Sequence, residues 1–404
     1  MGSTDHQTTT SEVYLSLAKD GRLVAVALVS FCATLGSNVA SAALPAMASG
    51  LAVSDTQIGL VMTVFSLFAM LFVPFTGALA DAYGRRTVLL PSILGFGLSG
   101  SAIAFVGTFE AVLVLRAVQG VAFAAIMPLT VTLLGDLYTG SSASAAQGFR
   151  TATNGIGSSL IPAVAGVLAG IAWSYPFLIY LLFAPVLGIA LRYLPEPVSN
   201  GGSNAGELRS VRRYVGHVRS EITQVDLGVL LFGELVRDFI RYGLITFVPL
   251  FAVRALGASY AAAGAVLSAR GIAYIVVSPL SGAVVAGLSR KRVLIGALLF
   301  SGCSTLVMPL VPGVVWLGVL MGAYTVGDSL FSPVIKDSVT ALASDERRGG
   351  IVSTMNTLKY AGQTAAPAFF GVVLAALGFD YIFYISVIVA VAYSVVLFVA
   401  VDQI

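Results

Sequence analysis

Long apolar runs, separated by short polar breaks, fill the chain from residue 23 onward. The runs are too long for strands and too uniformly apolar for the amphipathic helices of a soluble domain. A helix crosses a bilayer with about 20 apolar residues. On that measure the pattern predicts spans at 23–47, 56–80, 87–107, 110–135, 147–171 and 174–194. After a polar stretch from Pro195 to Val225, six more follow at 226–254, 260–287, 292–311, 314–341, 349–377 and 379–402. Segments apolar on every side must satisfy their backbone internally, so they are read as helices.

A charged loop divides this series into equivalent halves. Gly77-Ala-Leu-Ala-Asp81-Ala-Tyr-Gly84-Arg85-Arg86-Thr-Val-Leu returns, degraded, as Gly282-Ala-Val-Val-Ala286-Gly-Leu-Ser289-Arg290-Lys291-Arg292-Val-Leu. Gly77 to Gly282 and Arg85 to Arg290 are both 205 residues apart, and Pro162 and Gly166 recur as Pro367 and Gly371 at that same distance. Structural repeats of this kind, with a substrate site between them, are how secondary transporters are built. The expected fold is an all-α integral membrane protein with twelve transmembrane helices in two six-helix bundles related by pseudo-twofold symmetry. The expected organisation is an N-terminal tail at 1–22, a first bundle at 23–194, a linker at 195–225 and a second bundle at 226–404.

Composition agrees with a membrane protein. The chain is 57% hydrophobic and 10% charged, with a mean hydropathy of +0.94, whereas soluble domains average about 25% charged residues. Its net charge of +3 is unevenly placed. With the N-terminus in the cytoplasm, the inner loops hold Lys19, Arg22, Arg85, Arg86, Arg209, Arg212, Arg213, Arg219, Arg290, Lys291, Arg292, Arg347 and Arg348; the outer loops hold only Arg254. The positive-inside rule then predicts a multi-pass protein of the cell membrane with both termini and the linker cytoplasmic. No basic run interleaved with aromatics points to nucleic acid. Cys32 and Cys303 fall within apolar runs and read as small core residues. His6 and His217 lie in the polar tail and linker, so no metal site is expected, and no cofactor. No nucleophile–base pair suggests an enzyme.

Three motifs then carry a family resemblance. The 77–89 segment, with Gly77, Asp81, Gly84, Arg85 and Arg86, resembles the loop between helices two and three of the major facilitator superfamily. Leu113-Val-Leu-Arg116-Ala-Val-Gln119-Gly120 resembles that family's fourth-helix motif. Asn154-Gly155-Ile-Gly157-Ser-Ser-Leu-Ile161-Pro162-Ala-Val-Ala-Gly166 resembles the fifth-helix motif of its drug/proton antiporters, with Ile161 where that motif has Gly. Ala43-Leu44-Pro45 closes the first helix as in those antiporters, but Gly36 stands where many carry an acid. The resemblance implies that the 77–86 loop latches the two halves in the outward-facing state, that Arg116, supported by Gln119 and Gly120, takes part in proton transfer, and that Gly157, Pro162 and Gly166 pack helices closely. Apart from the resemblance, Asp81 is placed to face the positive end of a neighbouring helix, and Arg85 and Arg86 are placed to pair with Asp136.

Charges inside the spans are the remaining signal, because an ionised group in hydrocarbon is expensive. Glu234, Arg237, Asp238 and Arg241 fall on one stripe of span seven, which must face the bundle interior; local ion pairs at i,i+3 and i,i+4 are feasible there. Asp328 on span ten and Lys359 on span eleven form a candidate pair, and Arg270 lies on span eight. The candidate proton-coupling residues are Glu234, Asp238, Asp328 and Arg116, with every acid in the second half. The candidate substrate residues are Asn38, Gln119, Arg237, Arg241, Arg270, Asn356, Lys359, Tyr360 and Gln363. A self-neutralising structural cluster is the alternative for span seven. The buried cations Arg116, Arg237, Arg241, Arg270 and Lys359 outnumber the acids by two. The first reading is a monomeric secondary transporter in a lipid bilayer that exports a small amphipathic molecule with protons as coupling ion. The alternatives are a symporter or exchanger of a small organic anion, and a transporter-like receptor that binds without translocating.

Overall fold

The computed structural model describes residues 19–196, 225–278, 288–342 and 348–401. Within them the first half comprises α1 (Gly21–Gly50), α2 (Leu60–Tyr83), α3 (Arg85–Ala102), α4 (Phe109–Leu137), α5 (Gly140–Ala169) and α6 (Phe183–Tyr193). The second comprises α7 (Val225–Arg254), α8 (Tyr260–Val277), α9 (Arg290–Val307), α10 (Val314–Leu342), α11 (Arg348–Leu377) and α12 (Phe379–Ala400). By length and composition, 11 helical segments among the described residues are fit to cross a membrane. The remaining helix is α7, which is just as long but carries Glu234, Arg237, Asp238 and Arg241 in its middle.

Hydropathy misplaces a few boundaries for identifiable reasons. α5 starts at Gly140 rather than near residue 147, because its first turns are polar (Ser141, Ser142, Ser144, Gln147) and carry no apolar signal. The sixth span opens as a 3₁₀ segment, Tyr175–Leu182, with Pro176 in its first turn, before continuing as α6. Span eight is described to Ser278, so the end expected for it near 287, including Gly282 and Ala286, lies outside the described residues, as does most of the linker with Arg209, Arg212, Arg213 and Arg219. One core expectation fails. Cys32 is buried at 2% exposure, but Cys303 is exposed, because it sits on the outward side of α9.

In each half one helix is enclosed by its neighbours. α1 packs against α4, α5 and α6, and α7 against α11 and α12. The halves meet along two seams, α5 against α8 and α2 against α11, and the 205-residue repeat reappears in them. Gly264 abuts the Pro162 carbonyl, and its counterpart Gly59 abuts the Pro367 carbonyl; Gly166 meets Tyr260 and Gly264, while Gly371 meets Thr56. A Cβ at Gly59 would stand 2.9 Å from the Pro367 oxygen, too close for any other residue without opening the seam. Small residues permit this backbone approach between membrane helices.

The two ends of the molecule are tied differently. On the face that holds the start of α1, the pairs stay within one half. Asp20 caps α1 and accepts from Arg22 and from the Tyr138 hydroxyl at 2.6 Å, Arg85 pairs with Asp136, and Arg290 pairs with Asp337 at 2.7 Å. On the opposite face Arg254 of α7 pairs with Asp55 at 3.1 Å and donates to Ser49 at 3.3 Å, joining the halves. Ser49 and Arg254 are themselves 205 residues apart, so this clasp lies near the pseudo-twofold axis.

Candidate functional site

Arg116 sits in the centre of the first half, fully buried. Its Nη1 donates to the Gly36 carbonyl at 2.9 Å and to Gln119 Oε1 at 2.5 Å, and its Nε to the Val61 carbonyl at 3.1 Å. The guanidinium lies 4.2 Å from the centre of the Phe65 ring, a cation–π contact. Tyr180, which sequence reasoning missed, donates to the Leu35 carbonyl beside it at 2.9 Å. A Cβ at Gly36 would come 2.7 Å from Phe65 Cζ. Phe65 and Phe96 therefore occupy the space an acid at position 36 would need, and the charge of Arg116 is spread over backbone oxygens, an amide and a ring. One nitrogen, Nη2, has no partner.

The second half holds the charge cluster. Arg237 of α7 reaches α10, its Nε donating to Asp328 Oδ1 at 2.6 Å and its Nη2 to Asp328 Oδ2 at 3.0 Å. That two-pronged pair replaces the Asp328–Lys359 pair expected from the sequence. Arg237 points across the gap to α10 and takes both carboxylate oxygens, while Lys359 sits on α11 beside the α7 acids. Arg237 also lies 3.4 Å from Asp238 and 3.6 Å from Glu234. Asp238 accepts from Arg241 and, at 2.8 Å, from Gln363 of α11. Glu234 is wholly buried, and neither of its carboxylate oxygens has a hydrogen-bond partner among the described residues. A cavity of about 20 Å³ beside Arg237 and Asp328, also lined by Ser301, Thr305 and Ser386, has room for one water.

One cation of this cluster touches the first half. Arg270 of α8 reaches Asn38 of α1 at 3.5 Å. Arg241 and Lys359 are likewise only partly buried, while Tyr360 and Gln363 lie behind them. Tyr242, next to Arg241, lies beside Ser37 of α1. Asn356 is half-buried on α11. Gln119 belongs instead to the Arg116 network, buried within the first half.

The loop expected to act as a latch is tied within its own half. Gly84 holds φ +92°, a conformation glycine accepts readily, with the Glu196 carboxylate beside it. Arg85 pairs with Asp136 as expected, but Arg86 does not. Its side chain caps the end of α6, donating to the Leu191 carbonyl at 2.7 Å. Asp81 is exposed, and nothing lies within 4 Å of where a Cβ at Gly77 would be. Gly157 packs α5 onto Phe31 and Thr34 of α1, whereas Pro162 and Gly166 form the seam to α8. Asp20, at the same face, is held below its ordinary value of 3.8, at about 2, chiefly by Arg22.

Two six-helix bundles meeting around a charged site at mid-depth, and clasped at one face, form the architecture of a secondary transporter. Residues 26–224 and 230–403 match the Major Facilitator Superfamily, and the chain belongs to that family, one of transporters and not of enzymes. A bacillibactin exporter of Bacillus subtilis (strain 168) is 33% identical over 162 residues, a match covering 38% of this chain and 40% of that relative. The chain thus spans less than half of that relative's length. The multidrug transporter protein MdtP of the same organism is 21% identical, over 89% of this chain and 77% of its own. Among solved structures, a D-xylose-proton symporter superposes with a TM-score of 0.77 at 14% identity, covering 96% of this chain and 98% of the other. A POT family transporter with bound 5-aminolevulinic acid gives 0.80 at 12% identity, covering 93% and 95%. At such identities these structures speak for the fold alone.

Proposed function

We propose that this protein exports a small amphipathic molecule across the cell membrane by rocking its two bundles about the midplane site. The observation that carries the reading is a charged cluster at mid-depth between two halves that are clasped at one face by Arg254 and Asp55. The names of the relatives, an exporter and a multidrug transporter, favour export. With the termini and linker cytoplasmic, as the distribution of Lys and Arg favours, the clasped face is outside and this conformation faces the cytoplasm. Asp81, latched in the outward-facing state, has no hydrogen bond or ion pair among the described residues in this one. The protein works as a monomer, each chain holding a complete site.

Protons are the coupling ion in this reading, and the carboxylates of the second half are the groups that take them. Glu234 is the foremost, because Asp238 and Asp328 each accept a hydrogen bond from an arginine, whereas Glu234 accepts none among the described residues and has Arg237 only at 3.6 Å. Arg116 pins α4 to α1 and α2 through backbone carbonyls and shapes the site from behind. Asn38, Arg241, Arg270, Asn356 and Lys359 contact the substrate, with Tyr360 and Gln363 supporting them. The partly exposed cations Arg241, Arg270 and Lys359 favour a second reading, movement of a small organic anion together with protons.

Purified protein in liposomes with an internal pH dye separates these readings. Inward gradients of a lipophilic cation and of a small organic anion are applied in turn. Alkalinisation of the lumen means exchange for protons, and acidification means symport. Substrate entry with no pH change refutes proton coupling and returns Glu234 to a structural role.

A further inference from the structure

We infer that the transported molecule carries an acid group, received by Arg241, Arg270 and Lys359. The inference rests on the transport reading above and names the substrate class for that site. Four cations and three carboxylates share the middle of the second half, but their arrangement matters more than their number. Glu234 and Asp238 are wholly buried and Asp328 is 5% exposed; Arg237, at 9%, lies among them. Arg241, Arg270 and Lys359 stand in front, each partly exposed, on α7, α8 and α11 respectively. The partly exposed side of the cluster is therefore positive, with its neutralising acids behind it, and Arg270 on that side reaches Asn38 of the first half.

Each of the three keeps unused bonding capacity. The Nε of Arg241 and the Nε of Arg270 are buried without an acceptor. Lys359 makes no hydrogen bond or ion pair among the described residues and rests 5.5 Å from the Tyr360 ring centre. Among the described residues Arg270 has only the amide oxygen of Asn38, at 3.5 Å. The neighbouring carboxylate Asp238 already takes Arg241 and Gln363, and neither Arg270 nor Lys359 has an ion pair among the described residues. Uncompensated charge is costly at this depth, and an entering anion removes that cost. Guanidinium groups fit the two oxygens of a carboxylate, sulfonate or phosphate, and lysine adds a point charge. The rings of Tyr242 and Tyr360 lie against Arg241 and Lys359 and suit an acid joined to an aromatic or apolar body. A lipophilic cation meets three like charges.

The test uses two fluorescent probes of matched size and fixed charge, naphthalene-1-sulfonate and N-methylquinolinium, with the full-length protein in liposomes. The sulfonate is expected to cross and the quinolinium is not. Arg270→Gln and Lys359→Gln should each weaken the apparent affinity for the sulfonate by about tenfold or more. Arg270→Lys and Lys359→Arg should recover most of it, which a mere folding defect does not allow. Passage of the quinolinium without the sulfonate overturns the inference and leaves the transport reading standing. Sulfonate flux that survives both glutamine variants also overturns it. Passage of neither probe above protein-free liposomes overturns the transport reading and the inference together.

Discussion

The Arg237–Asp328 pair gives the sharpest test of how the charge cluster is held. Its two hydrogen bonds, at 2.6 and 3.0 Å, join α7 to α10 between side chains 10% and 3% exposed. Removing one member of such a buried pair costs about 3–5 kcal/mol, because the other is left charged and desolvated. The two members are not equivalent here. Asp328→Leu leaves Arg237 still facing Glu234 and Asp238 at 3.6 and 3.4 Å, so its cost should fall at the low end. Arg237→Met leaves both Asp328 and Glu234 without an ion-pair partner among the described residues, so its cost should reach or exceed the high end. In the double variant Glu234 alone is uncompensated, and the loss should be smaller than that of Arg237→Met alone. Thermal unfolding of the detergent-solubilised protein, arranged as a double-mutant cycle, measures all three. Equal costs for the single variants, or strictly additive costs in the double, refute the view that Arg237 neutralises several carboxylates.

Four further outcomes are expected. Asp81→Asn should slow transport while leaving the unfolding temperature unchanged; unchanged transport in liposomes removes the latch role. Gly36→Asp should lower stability by about 1–3 kcal/mol through overpacking against Phe65; a fully stable variant shows that the first half readily accepts an acid beside Arg116. Arg254→Gln should release the clasp to Asp55 and Ser49 and favour opening at that face, read as a longer distance between probes placed near residues 55 and 254; an unchanged distance shows that the glycine seams hold that face alone. The depressed Asp20 carboxyl stabilises the start of α1 in full above the ordinary value of 3.8, and this contribution is lost as pH falls toward about 2; Asp20→Asn should flatten the stability profile across that window, and an unchanged profile refutes the cap's share in it.

Much of this was legible in the sequence because the bilayer is a severe solvent. Twelve apolar runs were enough for the helices, and the Gly77/Gly282 repeat for the two halves. The stripe Glu234, Arg237, Asp238, Arg241 announced an interior face, since no lipid-facing helix tolerates it. Helix periodicity shows which residues share a face but not how far a long side chain reaches, so Arg237 rather than Lys359 as the partner of Asp328 stayed hidden. Arg86 turning to the Leu191 carbonyl was hidden for the same reason. Tyr180 gave no signal at all, because an aromatic in an apolar run looks like packing. Arg254 did give one, as the lone cation of its face, but its partner Asp55 is ordinary loop polarity until the halves are assembled.

The front row of Arg241, Arg270 and Lys359 also has an electrical consequence. An empty site carries excess positive charge, so turning it from one side of the membrane to the other displaces charge through the field. A potential of 100 mV acts on one full charge with about 2.3 kcal/mol. A negative cell interior therefore draws the empty carrier toward the cytoplasmic side, where it is ready to load. An acid seated among the three cations cancels that excess and lets the loaded carrier turn with little regard to voltage. Membrane potential thus resets the cycle, and the cargo silences the sensor.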